Sequence, residues 1–372
     1  MLIGVPKETK DHEYRVGLVP SAVRELTANG HGVVVESAAG LGAGLTDGDY
    51  RAAGAEIVPG ADAVFARAEL IVKVKEPLAA ERKKLKAGQL LFAYLHLAPD
   101  REQTKDLMAS GVTAIAYETV TSAQGMLPLL TPMSEVAGRM APHVGAHCLE
   151  RTNGGRGVLM GGVPGVPPAD VLVLGAGVSG SNATLIALGM GASVTVLDRN
   201  PEALRRIARQ FGPRVRTAFS TRDVVETLAR RSDLVIAAVL IPGAAAPKII
   251  SAETVKAMKP GAVIVDIAID QGGCAETSRP TTHSRPTYVV DDVVHYCVTN
   301  MPGAVARTST FALNNVTLPF VLALADKGVR RALAEDPHFR NGLNVHEGQV
   351  TNRAVANALK LPHVRAEAAL RM

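Results

Sequence analysis

Apolar and polar positions alternate along the first third of the chain with two different periods. Short runs rich in valine, isoleucine and leucine predict strands over residues 2–5, 32–36, 69–74, 89–97 and 112–117. Between these runs, apolar residues recur at helical spacing and predict helices over residues 21–29, 79–87 and 101–110. Repeated strand–helix units of this length require right-handed crossovers, so the pattern predicts a parallel sheet.

A second strand–helix series follows a connector rich in glycine and proline at residues 154–168. Its predicted strands cover residues 171–174, 193–197, 234–240, 263–269 and 293–298. Thr131-Pro132 predicts the start of a helix that runs to about residue 151, with a kink at Pro142. The tail returns to helical spacing over residues 311–327, 330–335 and 350–359, and we expect it to pack on the first series. The pattern therefore predicts an α/β protein with two domains.

Composition supports a folded protein and argues against a nucleic-acid partner. The 372 residues are 47% hydrophobic and 20% charged, enough for two substantial cores. The net charge is +5, but the lysines and arginines are scattered and no block of five like charges occurs. Six tyrosines, seven phenylalanines and no tryptophan also leave few side chains to stack on bases. We therefore expect no nucleic-acid binding.

Cysteine usage is typical of a cytosolic protein, and the hydropathy pattern predicts no signal peptide or membrane segment. Cys148, Cys274 and Cys297 have neither CxxC nor metal-ligand spacing, which is typical of reduced thiols. The N-terminal residues carry charges where a signal peptide would need an apolar stretch. Residues 171–197 are uncharged and long enough to cross a bilayer, but a glycine motif within them explains their composition better.

That motif, Gly175-Ala176-Gly177-Val178-Ser179-Gly180, follows an apolar strand and precedes a helix of small residues. In a dinucleotide site the first glycine allows the turn, the second lets backbone approach the pyrophosphate, and the third lets helix pack on strand. The pyrophosphate would lie at the helix N-terminus, where N–H groups favour an anion. Asp198, eighteen residues after Gly180, can accept a hydrogen bond from the ribose and repel a 2′-phosphate. The motif predicts NAD; the alternatives are a packing turn or, because of Arg199, NADP.

Three polar residues of the first series lie at or near strand ends, where an open parallel sheet binds ligands. His96 lies near the end of one strand, and its imidazole could exchange protons near neutral pH. Lys75 ends another strand on the same face as Lys73. Arg15, in a polar loop, could bind a carboxylate with two hydrogen bonds. The structural alternatives are a satisfied core histidine, a solvated lysine and a surface arginine.

Five further residues belong to the second series or to the helix before it. Asp270 ends a predicted strand and could face a nicotinamide, whereas Asp266 on the same face is interpreted as a hydrogen-bonded structural acid. His143 and His147 have the spacing of helical metal ligands but lack the acid of an HExxH motif, so we expect no metal. Ser134 is expected to form hydrogen bonds at the start of the helix that Thr131 opens, where its hydroxyl could touch a phosphate.

In order along the chain, eight segments resemble the alanine dehydrogenase family: GVPKETKDHEYRVGLVP, VKVKEP, LHLA, LPLLTPMSEVAGR, GGRGVLMGGVPGV, GAGVSG, DIAIDQGGC and NMPGAVARTST. This resemblance covers essentially the whole chain. It implies two Rossmann-like α/β domains with parallel sheets, a cleft between them and long helices joining them. Residues 1–128 plus 307–372 would form a discontinuous substrate-binding domain, and residues 129–306 the NAD-binding domain.

The resemblance also implies roles for individual residues. Arg15 and Lys75 match positions that hold the substrate carboxylate and its neighbouring oxygen, and His96 and Asp270 match the catalytic pair. Besides the motif glycines, the positions that contact NAD correspond to Ser134, Val178, Ser179, Asp198, Ser220, Val239, Leu240, the segment from Ile267 to Asp270, Asn300 and Met301.

The activity that the resemblance implies is NAD-dependent conversion of L-alanine and water to pyruvate and ammonia, and the reverse, by a cytoplasmic homohexamer. His96 would exchange protons with the developing carbonyl oxygen, and Asp270 would position or activate the water or amine. Two alternatives stay open: a soluble NAD-binding component of a proton-translocating transhydrogenase, and a non-catalytic NAD-responsive binding protein. The strand-end polar residues and the absence of a predicted membrane segment favour the dehydrogenase.

Overall fold

The computed structural model describes residues 1–239 and 246–372. Within these residues the strands are β1 (Leu2–Val5), β2 (Gly32–Glu36), β3 (Glu56–Val58), β4 (Leu70–Val72), β5 (Leu90–Ala93), β6 (Thr113–Ala116), β7 (Asp170–Leu174), β8 (Ser193–Asp198), β9 (Val215–Phe219), β10 (Leu234–Ala237), β11 (Val263–Asp266), β12 (Thr287–Val290), β13 (Val293–Tyr296), β14 (Leu343–His346) and β15 (Gln349–Val350).

The α-helices of the same residues alternate with these strands. They are α1 (Pro20–Ala28), α2 (Asp47–Ala52), α3 (Ala61–Arg67), α4 (Ala79–Arg82), α5 (Arg101–Ser110), α6 (Thr131–Leu149), α7 (Val178–Gly189), α8 (Pro201–Phe211), α9 (Arg222–Arg231), α10 (Ala252–Lys256), α11 (Ala306–Glu335), α12 (Pro337–Arg340), α13 (Arg353–Leu359) and α14 (Ala366–Ala369).

The chain divides into two compact units. Unit 1 comprises Met1–Met133 and Gly303–Met372, and unit 2 comprises Ser134–Pro302. The C-terminal segment adds β14 and β15 to the sheet of unit 1, where β14 pairs antiparallel with β6. Each unit has its own sheet of mainly parallel strands connected through helices, so the predicted α/β class is confirmed.

The sheet of unit 1 has the order β15-β14-β6-β5-β4-β1-β2-β3 among the described residues. Its first six strands along the chain are parallel to one another, and their order reverses between β1 and β4. Near the carboxyl ends of β4, β5 and β6, Val72, Phe92 and Ile115 lie side by side, so these strands end at nearly the same level. Loops that leave the carboxyl ends on either side of such a reversal diverge, and the space between them is where open α/β sheets bind ligands.

The sheet of unit 2 repeats this arrangement. Its order is β12-β13-β11-β10-β7-β8-β9 in the described residues, with only β12 antiparallel to its neighbour, and the order reverses between β7 and β10. Successive β7 side chains point to opposite faces of the sheet, and both faces are buried. Val171 and Val173 pack in one hydrophobic cluster, and Leu172 and Leu174 pack in another. Burial on both faces explains why the central strands read as continuous apolar runs.

Several predicted boundaries were wrong. The strands predicted over residues 89–97, 234–240 and 263–269 end early, at Ala93, Ala237 and Asp266, and the helix predicted over residues 79–87 ends at Arg82. Strands β3, β9, β12, β14 and β15 were not predicted. Four of them are edge strands, and one of these, β9, exposes most of its residues, so they lack the apolar runs that mark central strands.

The uncharged segment 171–197 is not a membrane span, because it forms β7, α7 and β8. Within the described residues, one helical stretch, Met301–Glu335, is long and apolar enough to cross a membrane. Of its most apolar window, 44% is buried, and a core helix passes the same test of length and composition. Asn314 of this stretch accepts a hydrogen bond from the Val19 amide and donates one to the Gly17 carbonyl, which ties α11 to the loop before α1.

Candidate functional site

The loop between β1 and α1 carries Arg15, whose side chain is buried rather than at the surface. Only 2% of Arg15 is exposed. Its Nε and Nη2 donate to the two carboxylate oxygens of Glu13, at 2.6 and 2.5 Å, and Nη1 donates to the Met133 sulfur at 3.1 Å. The neighbouring Val16 amide donates to the Thr310 hydroxyl of α11. A buried carboxylate therefore fixes the plane of the guanidinium, and α11 holds the loop that carries it.

Lys73, which follows β4, is a structural residue. It is fully buried, and its Nζ lies 3.1 Å from a Glu8 oxygen and 2.9 Å from a Glu81 oxygen. Burial raises the pKa of Glu8, against the opposing effect of Lys73. The other Glu8 oxygen accepts from the Val74 amide at 2.6 Å. This ion-paired trio anchors the backbone that leads into Lys75.

Lys75 and His96 both lie beside the ring of Tyr94. The Lys75 Nζ is 5.9 Å from the ring centroid, and the His96 ring is stacked at 6.0 Å with an interplanar angle of 15°. Burial raises the pKa of Tyr94, and the positive charge of Arg15 acts in the opposite direction. The Tyr94 hydroxyl donates to the Leu129 carbonyl, which fixes the ring. The structure thus gathers three predicted site residues of unit 1 around one tyrosine.

His96 itself is exposed and has an unusual backbone conformation. It lies three residues beyond the end of β5, with a φ of +49°. Its backbone N–H donates to Glu118 at 2.6 Å. A positive φ is uncommon for a residue with a side chain, so the surrounding contacts must maintain it.

The glycines of the unit 2 motif meet different surroundings. Gly175 has a φ of +99°, and a Cβ there would lie 2.8 Å from the Ala238 carbonyl oxygen. A Cβ on Gly180 would lie 1.8 Å from the Gly175 oxygen, because α7 packs directly on the turn. At Gly177 a Cβ would meet nothing within 4 Å. The fold itself requires Gly175 and Gly180, whereas Gly177 faces open space.

Helix α7 begins at Val178, and no side chain caps its N-terminus. Its first N–H groups lack intrahelical acceptors and point to where an anion would bind. Ser179 donates from its hydroxyl to the Ser134 carbonyl at 3.0 Å. Gly138 of α6 allows this close approach of the two helices, since a Cβ there would lie 2.3 Å from the backbone carbonyl oxygen of Ser179.

Asp198 connects the end of β8 to the glycine turn. Its carboxylate accepts from the Ala176 and Asn200 amides, each at 2.7 Å, and its carbonyl accepts from the Ser220 amide at 3.0 Å. Asp198 and Ser220 are both half-buried. The predicted acid is therefore held next to the motif, with its negative charge close to the N-terminus of α7.

The other candidate cofactor residues also follow strand ends of unit 2. Val239 follows β10 and is half-buried, and Leu240 lies outside the described residues. Asn300 has a φ of +67°, and its carbonyl accepts from the His283 ring at 3.0 Å. Met301 is buried.

The placement of Asp270 on a strand was wrong. Strand β11 ends at Asp266, and Ile267–Gln271 forms a 3₁₀ turn that leaves Asp270 exposed. Asp266 is fully buried and accepts from the Ala268 and Cys274 amides and the Ser278 hydroxyl. Its interpretation as a structural acid is confirmed. The turn forms because the Asp266 side chain caps it.

His143 and His147 line a separate pocket of unit 2, of about 340 Å³, together with Cys148 and Tyr296. Among the residues with described positions, no group of three or more histidine, cysteine or acidic side chains could hold a metal ion. The three cysteines are buried free thiols, and burial raises the pKa of Cys148 and of Cys297 to about 11.

Sequence reasoning missed the residues that support Arg15, Lys75 and His96. They are Glu8, Glu13, Glu81, Tyr94 and Glu118. Charged residues cluster just after the apolar strand runs, and this clustering could have indicated the supporting residues. Which acid pairs with which partner, however, can be known only from the order of the strands in the sheet.

Comparisons with known proteins cover nearly the whole chain. Residues 4–137 match the family described as alanine dehydrogenase/PNT, N-terminal domain, and residues 141–353 match the corresponding C-terminal domain. An alanine dehydrogenase of Halomonas elongata is 60% identical, over 98% of this chain and 99% of that protein. A solved L-alanine dehydrogenase has a TM-score of 0.94 at 52% identity, over 97% and 99% of the two chains. A transhydrogenase structure from Sinorhizobium meliloti has a TM-score of 0.82 at 26% identity, over 94% and 100%.

Proposed function

Because this chain belongs to the alanine dehydrogenase/PNT family, we propose that it catalyses the NAD-dependent oxidative deamination of L-alanine to pyruvate and ammonia, and the reverse reductive amination. The observation that supports this most strongly is the grouping of Arg15, Lys75 and His96 around Tyr94. It combines two cations for a carboxylate substrate with one imidazole for proton transfer.

Unit 1 is the proposed substrate-binding domain and unit 2 the proposed NAD-binding domain. We assign residues 1–128 plus 307–372 to the first and residues 129–306 to the second, close to the observed units. The family resemblance also supports a cytoplasmic homohexamer. These assignments place the substrate carboxylate at Arg15 and Lys75, and the dinucleotide on the glycine motif.

Arg15 and Lys75 bind the substrate in this proposal. The bidentate Glu13 contact holds the guanidinium in one plane, so Arg15 is pre-organised for the substrate carboxylate. Lys75, beside Tyr94, binds the neighbouring oxygen, which is the carbonyl oxygen of pyruvate in the reverse reaction. Alanine held through its carboxylate presents its Cα–H in a restricted orientation, which lowers the entropic part of the barrier.

The residues of unit 2 fit a bound NAD. The open space at Gly177 and the uncapped start of α7 suit a pyrophosphate, and Asp198 suits a ribose hydroxyl. Val178, Ser179, Ser134, Ser220, Val239, Leu240, Ile267, Asn300 and Met301 are the remaining proposed contacts. When bound, NAD⁺ supplies the hydride acceptor, and the protein supplies binding and orientation.

His96 and Asp270 manage protons in the proposed mechanism. The alanine ammonium first loses a proton, because hydride can leave Cα only when the nitrogen lone pair can form an iminium. Water then adds to that iminium, and loss of ammonia gives pyruvate. His96 exchanges the proton of the developing carbonyl oxygen, and Asp270 positions or activates the water or amine. Overall, L-alanine, NAD⁺ and water give pyruvate, ammonium, NADH and one proton.

The test is reduction of NAD⁺ by purified protein with L-alanine, compared between wild type and His96→Ala. We expect alanine-dependent formation of NADH, and a loss of about a hundredfold to ten-thousandfold in kcat for the variant, the usual contribution of a positioned acid–base group. NADH binding, measured by titration, should be unchanged. A wild-type protein that binds NADH but never oxidises alanine would contradict the proposal and favour a transhydrogenase component or a binding protein.

A further inference from the structure

We propose that Glu118 is a positioning residue for His96, acting through the backbone rather than through the imidazole. The proposal rests on the function assigned above to His96. Glu118 lies in the 3₁₀ turn Tyr117–Thr119 that follows β6, so it reaches the end of β5 from the neighbouring strand.

The peptide group between Leu95 and His96 is held on both sides. Its N–H donates to a Glu118 oxygen at 2.6 Å, and its C=O accepts from Nε2 of Gln103 at 2.6 Å. The Leu95 N–H donates to the same carboxylate, 3.2 Å from each oxygen. Two contacts on opposite edges fix the plane of a peptide group, and this plane sets the direction in which the His96 side chain leaves the backbone.

Both partners are themselves anchored. Gln103 is fully buried in α5, and its backbone N–H donates to the side chain of Asp100, the N-cap of that helix, at 2.9 Å. Glu118 is half-buried, and its turn follows β6, which pairs with β5 up to the Ala93–Ala116 position. The hydrogen bonds from Glu118 and Gln103 to the Leu95–His96 peptide group, called the clamp below, therefore hold His96 in place relative to α5 and β6.

The left-handed backbone of His96 is what makes the clamp necessary. A φ of +49° is disfavoured for a residue with a side chain, so without external contacts the segment would relax toward the common regions. Relaxation would move the imidazole away from its stacked position on Tyr94. A displacement of about 1 Å in a catalytic group can reduce a rate by roughly a hundredfold.

A matched contact elsewhere in unit 1 supplies the control. Ala38, beyond the end of β2, also has a positive φ, of +63°, and its N–H donates to the Asp47 carboxylate at 2.8 Å. Asp47→Ala therefore removes the same type of contact from a left-handed residue that has no role in the proposed reaction. Any effect of Glu118→Ala that Asp47→Ala does not share belongs to His96.

The experiment compares kcat, KM and NADH affinity in Glu118→Ala, Glu118→Gln and Asp47→Ala, and repeats Glu118→Ala in a His96→Ala background. We expect Glu118→Ala to lower kcat by about ten- to a hundredfold, with little change in NADH affinity. Glu118→Gln should recover most of this loss, because its amide oxygen still accepts a hydrogen bond, and Asp47→Ala should keep wild-type kcat. In the His96→Ala background, Glu118→Ala should cause no further loss.

Equal losses from Glu118→Ala in both backgrounds would overturn the proposal, since the carboxylate would then act independently of His96. Amide hydrogen exchange gives a second readout that needs no activity. Exchange at Leu95 and His96 should accelerate in Glu118→Ala and stay unchanged in Asp47→Ala, and unchanged exchange in both variants would also overturn the clamp. If wild type fails to oxidise alanine, the proposed function fails, while the exchange result still decides the role of Glu118.

Discussion

Arg15 shows how single residues of unit 1 combine burial with charge. The Glu13 carboxylate forms two hydrogen bonds with its guanidinium, and both side chains are almost fully buried. A guanidinium keeps this geometry because its donors form a planar fork, which an ammonium cannot imitate. The pair therefore combines a structural role with the proposed recognition of a substrate carboxylate.

Arg15→Lys should raise the KM for alanine and pyruvate, with NADH affinity little changed, because the variant keeps the charge but loses the fork. It should also lower Tm, since the buried Glu13 carboxylate would lose one of the two hydrogen bonds that the guanidinium donates to it. Steady-state kinetics and NADH titration measure these effects. Arg24→Lys, on the exposed side of α1, is the matched control and should change neither. An equal loss of NADH and pyruvate affinity in Arg15→Lys would assign Arg15 to the cofactor site or to the fold.

Asp198 should set the preference for NAD⁺ over NADP⁺. Asp198→Asn removes the negative charge that repels a 2′-phosphate but keeps an oxygen acceptor for the Ala176 amide. It should therefore lower the ratio of kcat/KM for NAD⁺ to kcat/KM for NADP⁺. Asp198→Ala also removes that acceptor, and we expect it to weaken both cofactors. Kinetics with each cofactor separate the two effects. Equal use of NAD⁺ and NADP⁺ by the wild type would contradict this role.

At the scale of elements, the turn from β7 to α7 separates structural from ligand-binding glycines. Gly180→Ala should lower Tm and abolish NADH binding, because its Cβ would overlap the Gly175 carbonyl oxygen and force α7 away. Overpacking of this kind typically costs about 1–3 kcal/mol, or more against rigid backbone.

Gly177→Ala is the matched variant for this turn. Gly177 has a φ of −76°, which any residue can adopt, and open space around it, so Tm should stay close to wild type. NADH affinity should fall, because the methyl group would occupy space that the pyrophosphate requires. Thermal denaturation and NADH titration test the pair. An unchanged NADH affinity in Gly177→Ala would show that the cofactor does not approach this backbone.

At the scale of the whole molecule, each sheet buries a histidine on a strand that lies next to one of its edge strands. His295 of β13 is fully buried: its Nδ1 donates to the Val293 carbonyl, and its Nε2 accepts from the Thr277 hydroxyl, which suits the neutral ring. His346 of β14 contacts the Thr113 hydroxyl through Nδ1. Burial lowers the pKa of both histidines below the ordinary value of 6.5.

Acid should therefore destabilise the protein through these two residues. Their folded-state pKa values are lowered, so the unfolded chain binds more protons, and stability is lost as the pH falls below about 6.5. We expect Tm to drop between about pH 7.5 and 5.5, and His295→Gln to have a smaller drop than wild type. His143→Gln, at an exposed position, is the control and should keep the wild-type slope. An unaltered slope in His295→Gln would show that this histidine does not contribute.

Local pattern determined much of what this chain is. The apolar runs identified the central parallel strands, and the glycine spacing together with Asp198 identified the dinucleotide turn, because strand burial, turn conformation and helix start depend on residues close in sequence. The order of eight motifs indicated the family. The edge strands escaped, since they are short or partly exposed and leave no apolar run to detect.

Only the tertiary structure decided which groups support the proposed site. Glu118 and His96 are 22 residues apart, Lys73 and Glu8 lie on different strand-end loops, and β14 pairs with β6 from the far end of the chain. Such contacts depend on the sheet order, and many orders satisfy the same local pattern of strands and helices. A carboxylate in the sequence can serve as a surface charge, a helix cap or a backbone clamp, and its role is set by which backbone amides the fold brings within hydrogen-bond distance.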